Sequence, residues 1–462
     1  MENFWDFKVW GLFNLVAVLL ISLLVANILK RRVKFLKNSL IPTSVLGGLI
    51  LFIVNIIYKA ITDTSIWNTE FFGGSGNSVL EMITYHTLAL GFIAVAFKTK
   101  NHKITKQRSV EIFNTGATTV STYLLQGIVG LGITIIASYI MTDFFAASGL
   151  LLPFGYGQGT GQALNYGSIY ESDYGFVGGK SFGLTIAALG FLSASIGGVI
   201  HLNILKRKNK LPVFNKETAI LSERSIQEDN EIPMNGGMDK LTVQIALVAL
   251  AYFLTHLLMF GIGCLLPGAR SVVYGFNFLI GVLMATLVKV ILNALNKKAV
   301  IKRKYTNNFL MDRISNFCFD IMVVAGIAAI NLEVLSSYWV VILVLGVIGA
   351  IITYFYNRFV ARKLFKDYAE EQFLAMYGML TGTASTGVVL LREIDGDFIT
   401  PVSENLVYQN FPAMVFGFPL MLLATLAPKQ PILTLIILIG FFAVMNIILF
   451  RSKIFKRKVQ QK

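Results

Sequence analysis

Gly155-Tyr-Gly-Gln-Gly-Thr-Gly-Gln-Ala-Leu-Asn165 and Tyr377-Gly-Met-Leu-Thr-Gly-Thr-Ala-Ser-Thr-Gly387 interrupt apolar sequence at similar places in the two halves of a 462-residue chain. Backbone that leaves helical form at bilayer depth must have its amides and carbonyls met by protein, water or ligand, so such breaks persist where they line a cavity. Paired interruptions in two halves of a polytopic chain point to the binding site of a secondary transporter.

The composition agrees that the solvent is lipid. Apolar residues make up 55% of the chain and charged residues 14%, and the mean hydropathy is +0.67; a soluble domain carries roughly 25% charged residues. Cys264 and Cys318 lie in or beside apolar runs without metal-site spacing, so neither a disulfide nor zinc is expected. Met1-Glu-Asn-Phe-Trp-Asp6 is acidic and aromatic, unlike the basic start of a cleavable leader.

The net charge of +15 is a topology signal rather than a nucleic-acid footprint. Stretches long enough to span fall near 9–29, 40–58, 80–97, 110–141, 175–205, 241–262, 273–296, 313–332, 337–360, 404–426 and 431–450. The 110–141 run is overlong and is expected to contain an interfacial turn. Basic residues crowd alternate connections, as at Lys30 to Lys37, Lys98 to Arg108, Lys206 to Lys210, Lys297 to Lys304, Arg358 to Lys366 and the tail from Arg451. The others hold only Lys59, Arg270 and Lys429. By the positive-inside rule the N-terminus lies outside and the C-terminus inside.

The count closes only if the two glycine-rich segments dip into the membrane and return, the first from outside and the second from the cytoplasm. The expected architecture is therefore an all-α polytopic membrane protein: two inverted five-helix repeats, each with a re-entrant hairpin, plus one extra C-terminal helix, about 11 spans in all. Residues 1–205 form the first repeat, with its re-entrant loop near 146–172, and 206–240 a cytoplasmic linker holding Pro212, Pro233, Gly236 and Gly237. Residues 241–427 form the inverted repeat, with its loop near 371–392, and 428–462 the extra helix and basic tail.

Ile41-Pro-Thr-Ser-Val-Leu-Gly-Gly48, Gly157-Gln-Gly-Thr-Gly161, and Tyr174-Gly-Phe176 leading to Ile196-Gly-Gly198 resemble the bacterial sodium:glutamate symporter family. The resemblance runs in order over most of the chain, the linker and the last helix being least alike. It implies ten or so spans in two inverted halves, two re-entrant loops with Gly-x-Gly-x-Gly patterns, sodium coupling without an organic cofactor, and a homodimeric carrier of elevator type in the bacterial inner membrane. Two positions depart from the family pattern: Gln158, where histidine is frequent, and Leu380, where a middle glycine is expected. Both bear on which solute is bound rather than on the fold.

In a re-entrant hairpin the returning arm starts at the tip, so its amides and the positive end of its dipole face the membrane midplane, where a carboxylate can accept from them. Thr160, Gly161 and Gln162 form that end in the first loop, and Thr383, Ala384, Ser385 and Thr386 in the second; Gln158, Gly159 and Asn165 complete the first loop's candidate substrate-binding set. The entering arms end in carbonyls that suit sodium, helped by hydroxyls such as Thr160, Thr381, Thr383 or Ser385. The alternative, that glycine, serine and threonine serve close helix packing, suits Gly197 and Gly198 better than three alternating glycines.

Ionisable groups within spans are costly and so are candidates. Lys180 either answers a second substrate carboxylate or snorkels to the interface. Asp320 holds sodium or a substrate ammonium, or else partners Asn316. Glu404, Asn405, Gln409 and Asn410 open the tenth span, with Asn405 and Gln409 either lining the site or bonding between helices. His86 reads as a structural hydrogen-bonding residue ahead of a proton relay. No His-Glu-x-x-His, Walker or Gly-x-Ser-x-Gly motif is present, which argues against an enzyme. The expected function is sodium-coupled symport of glutamate or a related carboxylate-bearing solute. The rivals are a proton-coupled organic anion carrier and, from another class, an ion channel with re-entrant filter loops. The expected partners are solute, sodium, membrane lipid and a second copy, with no nucleic acid.

Overall fold

The computed structural model describes residues 3–38, 40–98, 105–208, 231–234, 237–267, 270–331, 338–395 and 399–454. Most of the linker, including Pro212 and Gly236, lies outside this set, as does the tail beyond 454. The described chain is helical, with one isolated bridge, Glu231 to Lys304. The principal helices are α1 (Phe7–Arg32), α2 (Thr43–Thr62), α3 (Gly76–Phe97), α4 (Lys106–Ile140), α5 (Leu151–Tyr174), α6 (Gly179–Arg207), α7 (Lys240–Leu265) and α8 (Asn277–Lys297). They continue as α9 (Asn308–Ala328), α10 (Trp339–Leu364), α11 (Ala369–Thr381), α12 (Ala384–Arg392), α13 (Val402–Tyr408), α14 (Asn410–Leu426) and α15 (Pro431–Leu449).

Among the described residues nine helices are long and apolar enough to cross a membrane, or ten if α13 and α14, bent by 47°, make one span. The sequence count of about 11 includes α9, which has the length at 21 residues but carries Asp312, Arg313 and Asp320. The interfacial turn expected within 110–141 is absent: α4 is one helix of 35 residues. Its polar run does not break it because each threonine hydroxyl donates back to the carbonyl one turn earlier. Thr115 bonds Glu111 at 2.9 Å, Thr118 bonds Asn114 at 2.7 Å and Thr122 bonds Thr118 at 2.7 Å.

The compact units do not follow the two sequence halves. Unit 1 comprises residues 1–25, 47–103 and 217–329, and unit 2 comprises 26–46, 104–216 and 330–462. Each half thus gives its first three long helices mainly to unit 1 (α1 to α3, and α7 to α9). Each gives its fourth helix, its glycine-rich segment and the helix after it to unit 2.

In unit 1, α3 is the hub, packing on α8 and α9. Ile93, Ala94 and Phe97 form a core with Val248, Ala251, Ala285 and Met311. Gly91 meets the Phe319 ring, where a Cβ would lie 2.5 Å from Cε1. The end of the linker is pinned by a buried pair, Lys240 Nζ to Glu231 at 2.7 Å, with Asn307 donating to the same carboxylate oxygen at 2.7 Å. A buried pair of this kind must keep both partners, since an uncompensated buried charge costs about 3–5 kcal/mol.

Candidate functional site

Both glycine-rich segments in unit 2 double back on themselves. The first is drawn as one helix, yet Gly159 has φ 78° and ψ −168°, far from helical values. Twelve residues of straight helix would span about 18 Å, whereas the Phe154 and Tyr166 rings stack at 4.0 Å. At the base of the hairpin Phe145 stacks on Phe176 at 4.9 Å. The tip is therefore at Gly159, with arms 151–158 and 160–174. The returning arm is seamed to α14 by three tyrosines one helical turn apart. Tyr166, Tyr170 and Tyr174 donate to the carbonyls of Met421, Ala424 and Thr425 at 3.0, 2.8 and 3.1 Å.

The second hairpin closes at Thr381-Gly382-Thr383, between α11 and α12. Its arms touch through glycines, for a Cβ on Gly378 would sit 2.8 Å from the Gly387 Cα. The first turn of α12 closes with Gly387 N–H on the Thr383 carbonyl at 3.1 Å, and Thr383 caps no amide with its side chain. The amides of Ala384, Ser385 and Thr386 therefore have no carbonyl ahead of them in their own helix.

Two neighbouring helices join the tips. From α4, Tyr123 Oη donates to the Gly157 carbonyl at 2.9 Å, two residues before the first tip. One turn further along α4, Gln126 Nε2 donates to the Leu380 carbonyl at 2.9 Å, just before the second tip, and to Thr353 Oγ1 at 2.8 Å. From α6, Gly190 lies against both: a Cβ there would strike the Thr381 carbonyl and come within 3.3 Å of the Tyr156 Cα. Glycine is required because two backbones converge on it.

Two buried side-chain atoms near the tips have no partner, Gln162 Nε2 and Gln126 Oε1. A buried unsatisfied donor or acceptor costs about 1–3 kcal/mol, so both call for a partner beyond the protein's own groups, water or a ligand. The chemistry offered is amide N–H for an anion and neutral oxygen for a cation or an ammonium.

The predicted residues distribute unevenly around this centre. Thr160, Gln162 and Asn165 are buried at the first tip, Asn165 donating to Gln162 Oε1 at 3.4 Å; Gln158 is half-buried, and Gly159 and Gly161 are buried there. Thr381 spends its proton on the Tyr377 carbonyl at 2.6 Å and keeps its lone pairs. Thr383 and Thr386 place their hydroxyls 3.4 Å apart, while the side chain of Ser385 lies outside the described residues. Gln409 approaches the second tip through the Met379 sulfur at 3.3 Å and accepts from Thr119 at 2.8 Å.

Two others lie away from the tips within unit 2. Asn405 donates to Gln372 at 3.3 Å, nine residues before Thr381 and so about 13 Å along α11 from the tip. Lys180 lies at the base of the first hairpin, 3.9 Å from Glu171, rather than at its tip. Asp320 is exposed and belongs to unit 1, whereas the hairpins belong to unit 2. His86 bonds the Tyr252 hydroxyl at 2.7 Å, as its structural reading expects.

The base of the second hairpin is held by charge. Glu370 bonds His201 at 2.8 Å and Arg362 at 2.9 Å. The His201 hydrogen bond, ahead of Arg362, holds the Glu370 carboxyl down at about 2 against its partial burial. Sequence reading missed Tyr123, Gln126 and Gly190; the available signal was a glutamine and a dense run of hydroxyls in an otherwise apolar span, buried at Thr115, Thr118, Thr119, Ser121 and Thr122.

The profile of the sodium/glutamate symporter family matches residues 11–396. The chain belongs to this family. It is accordingly a membrane transporter and not an enzyme, and sodium and a small molecule are what such a symporter moves. The match takes in both hairpins of the symporter and stops before α13, so Asn405, Gln409, α14 and α15 lie beyond it. No curated protein matches the sequence closely enough to count as a relative.

Proposed function

We propose that this protein imports glutamate, or a closely related carboxylate-bearing amino acid, with sodium, at a site formed by the two hairpin tips. What supports this reading is the pair of buried groups near the two tips that lack a protein partner, the Gln162 Nε2 donor and the Gln126 Oε1 acceptor. The α-carboxylate accepts from the amides that start the returning arms, around Gly161 to Gln162 and Ala384 to Thr386. Gln162 Nε2 and Gln158 are the donors for a side-chain carboxylate. Neutral oxygens, from Gln126 Oε1, Thr383 and the tip carbonyls, hold sodium and the ammonium. Asn405, Gln409 and the Lys180–Glu171 pair then support hairpin positions without touching the solute.

The same proposal includes two inverted repeats, alternating access of elevator type with the site carried wholly by unit 2, a homodimer, and a bacterial inner-membrane location with the N-terminus outside. What supports inversion is the matched order of elements in the two halves and the alternation of basic connections. Val177, 69% exposed at the base of the first hairpin, and Ile399, 79% exposed beyond the second, report it. Cysteines at these positions, in a background with Cys264→Ser and Cys318→Ala, should react with an impermeant maleimide from opposite sides of the membrane. Labelling of both from one side would overturn the inversion.

Counterflow tests carriage itself: vesicles loaded with unlabelled glutamate should accumulate external labelled glutamate transiently. A channel gives no such overshoot. For coupling, Thr383→Val removes one oxygen at nearly constant volume and should raise the sodium concentration for half-maximal uptake roughly five- to tenfold, as for loss of one ligand hydrogen bond. An unchanged sodium dependence would place the ion elsewhere.

A further inference from the structure

We propose that the end of α10 carries a binding site for the headgroup of an anionic phospholipid, separate from the transport site. A cavity of about 340 Å³ opens there, lined by Phe355, Arg358, Phe359, Arg362 and Lys363. These positions recur at helical spacing, so one face of α10 presents them together. Phe355 and Phe359 are 63% and 50% exposed, and Lys363 Nζ lies 6.0 Å over the Phe359 ring. Beside the cavity, the turn after α15 adds Lys453, whose Nζ reaches the Lys363 carbonyl at 2.6 Å, and Phe450 packs on Phe359 at 5.8 Å.

The chemistry of this pocket selects its occupant. Of the three cations that line it, Arg358, Arg362 and Lys363, only Arg362 has a bonded carboxylate among the described residues, Glu370, which it shares with His201. The Arg358 Nε is buried and has no hydrogen-bond partner. The outer guanidinium nitrogens of Arg358 and Arg362 suit a phosphodiester, since guanidinium groups match phosphate geometry. The aromatic rings on the same face extend toward the apolar body of α10, where acyl chains lie. A soluble phosphate makes no use of those rings, and a zwitterionic headgroup brings a cation into an already positive pocket. Basic pockets at the ends of membrane helices that face the negative leaflet are suited to acidic lipids.

The test titrates dioctanoyl-phosphatidylglycerol, dioctanoyl-phosphatidylethanolamine and glycerol phosphate into the purified full chain in detergent, counting adducts by native mass spectrometry. The glycerol lipid should bind and the other two should not compete at equal concentration. Arg358→Gln with Lys363→Gln should weaken its binding roughly thirty-fold, from the loss of two interfacial cations. Lys363→Gln alone, at an exposed position, should weaken it roughly five-fold without risk to folding. Arg358→Lys with Lys363→Arg should recover part of the binding lost in the double Gln variant, because the charge is kept while the Arg358 fork is not. Equal binding of both lipids, or no loss in the Gln variants, would overturn the site. Full competition by glycerol phosphate would reassign it to a soluble phosphate. Because the readout is binding, its outcome is independent of whether glutamate is the transported solute.

Discussion

Gly159→Ala should cut glutamate uptake by roughly 5- to 150-fold while the protein still inserts and purifies as a monodisperse species. At φ 78° and ψ −168° the residue occupies a backbone region that only glycine adopts readily, and a Cβ there costs about 1–3 kcal/mol. The tip has few neighbours able to absorb that strain, because Tyr123 already fixes the Gly157 carbonyl and Thr160 and Gln162 are buried. The strain therefore appears as a lowered population of the competent tip, and a penalty of this size is a factor of that order in activity. Gly175 provides the control. It also has positive φ, at 70°, but in the left-handed region that asparagine tolerates, and a Cβ there meets nothing within 4 Å. Gly175→Asn should leave uptake within about two-fold of the parent. Equal losses in the two variants would mean that hairpin stability in general, and not the tip, sets the rate.

The second large effect is expected at Gln126. Gln126→Leu keeps the side-chain volume but removes the donor to the Leu380 carbonyl and to Thr353. Leaving the buried carbonyl unmet costs about 1–3 kcal/mol, and it lies one residue before Thr381 in the second hairpin tip. Half-saturation for substrate should rise by roughly ten-fold or more, and the sodium dependence should shift with it, since the Gln126 Oε1 acceptor is lost as well. Thr353→Val removes one partner of Gln126 and leaves the bond to Leu380, so its effect should be several-fold smaller. A Gln126→Leu protein with parental affinities for both substrate and sodium would remove α4 from the site.

These two residues also mark how far the sequence could be read. Gly159 stood out because a run of alternating glycines has no use in an ordinary span, and the break it implies is where the chain turns back. Gln126 did not, because its role depends on which carbonyl it reaches, and Leu380 is 254 residues away. The same holds for Gly190, whose need for a bare Cα comes from Tyr156 and Thr381 converging on it. The length of the 110–141 run suggested a turn, yet α4 is unbroken over 35 residues, its threonine hydroxyls bonding the preceding turn of the same helix. At the other end of unit 2, the break between α13 and α14 follows local chemistry that was visible but unread, since Pro412 lacks an amide for the helix that would otherwise run on. The division of each half between two compact units rests on tertiary packing and has no counterpart in hydropathy.

Charge placement shows a similar divide. Lys180 is near the first hairpin in sequence, and the helix that follows carries it to the base, where Glu171 meets it. Asp320 was singled out for its cost within a span, but it sits on an exposed face of unit 1. The groups proposed to receive the solute in unit 2 are neutral amides and hydroxyls, which composition alone cannot distinguish from helix-packing residues.

Sodium-coupled carriage of glutamate is read from uptake into proteoliposomes under imposed gradients. A tenfold inward sodium gradient stores about 1.4 kcal/mol per ion, so coupling to even one ion should concentrate labelled glutamate about tenfold inside. Replacing external sodium with choline, with or without an inward proton gradient, should abolish the accumulation. Concentrative uptake driven by protons in choline, or glutamate flux that never exceeds equilibration, would contradict the account.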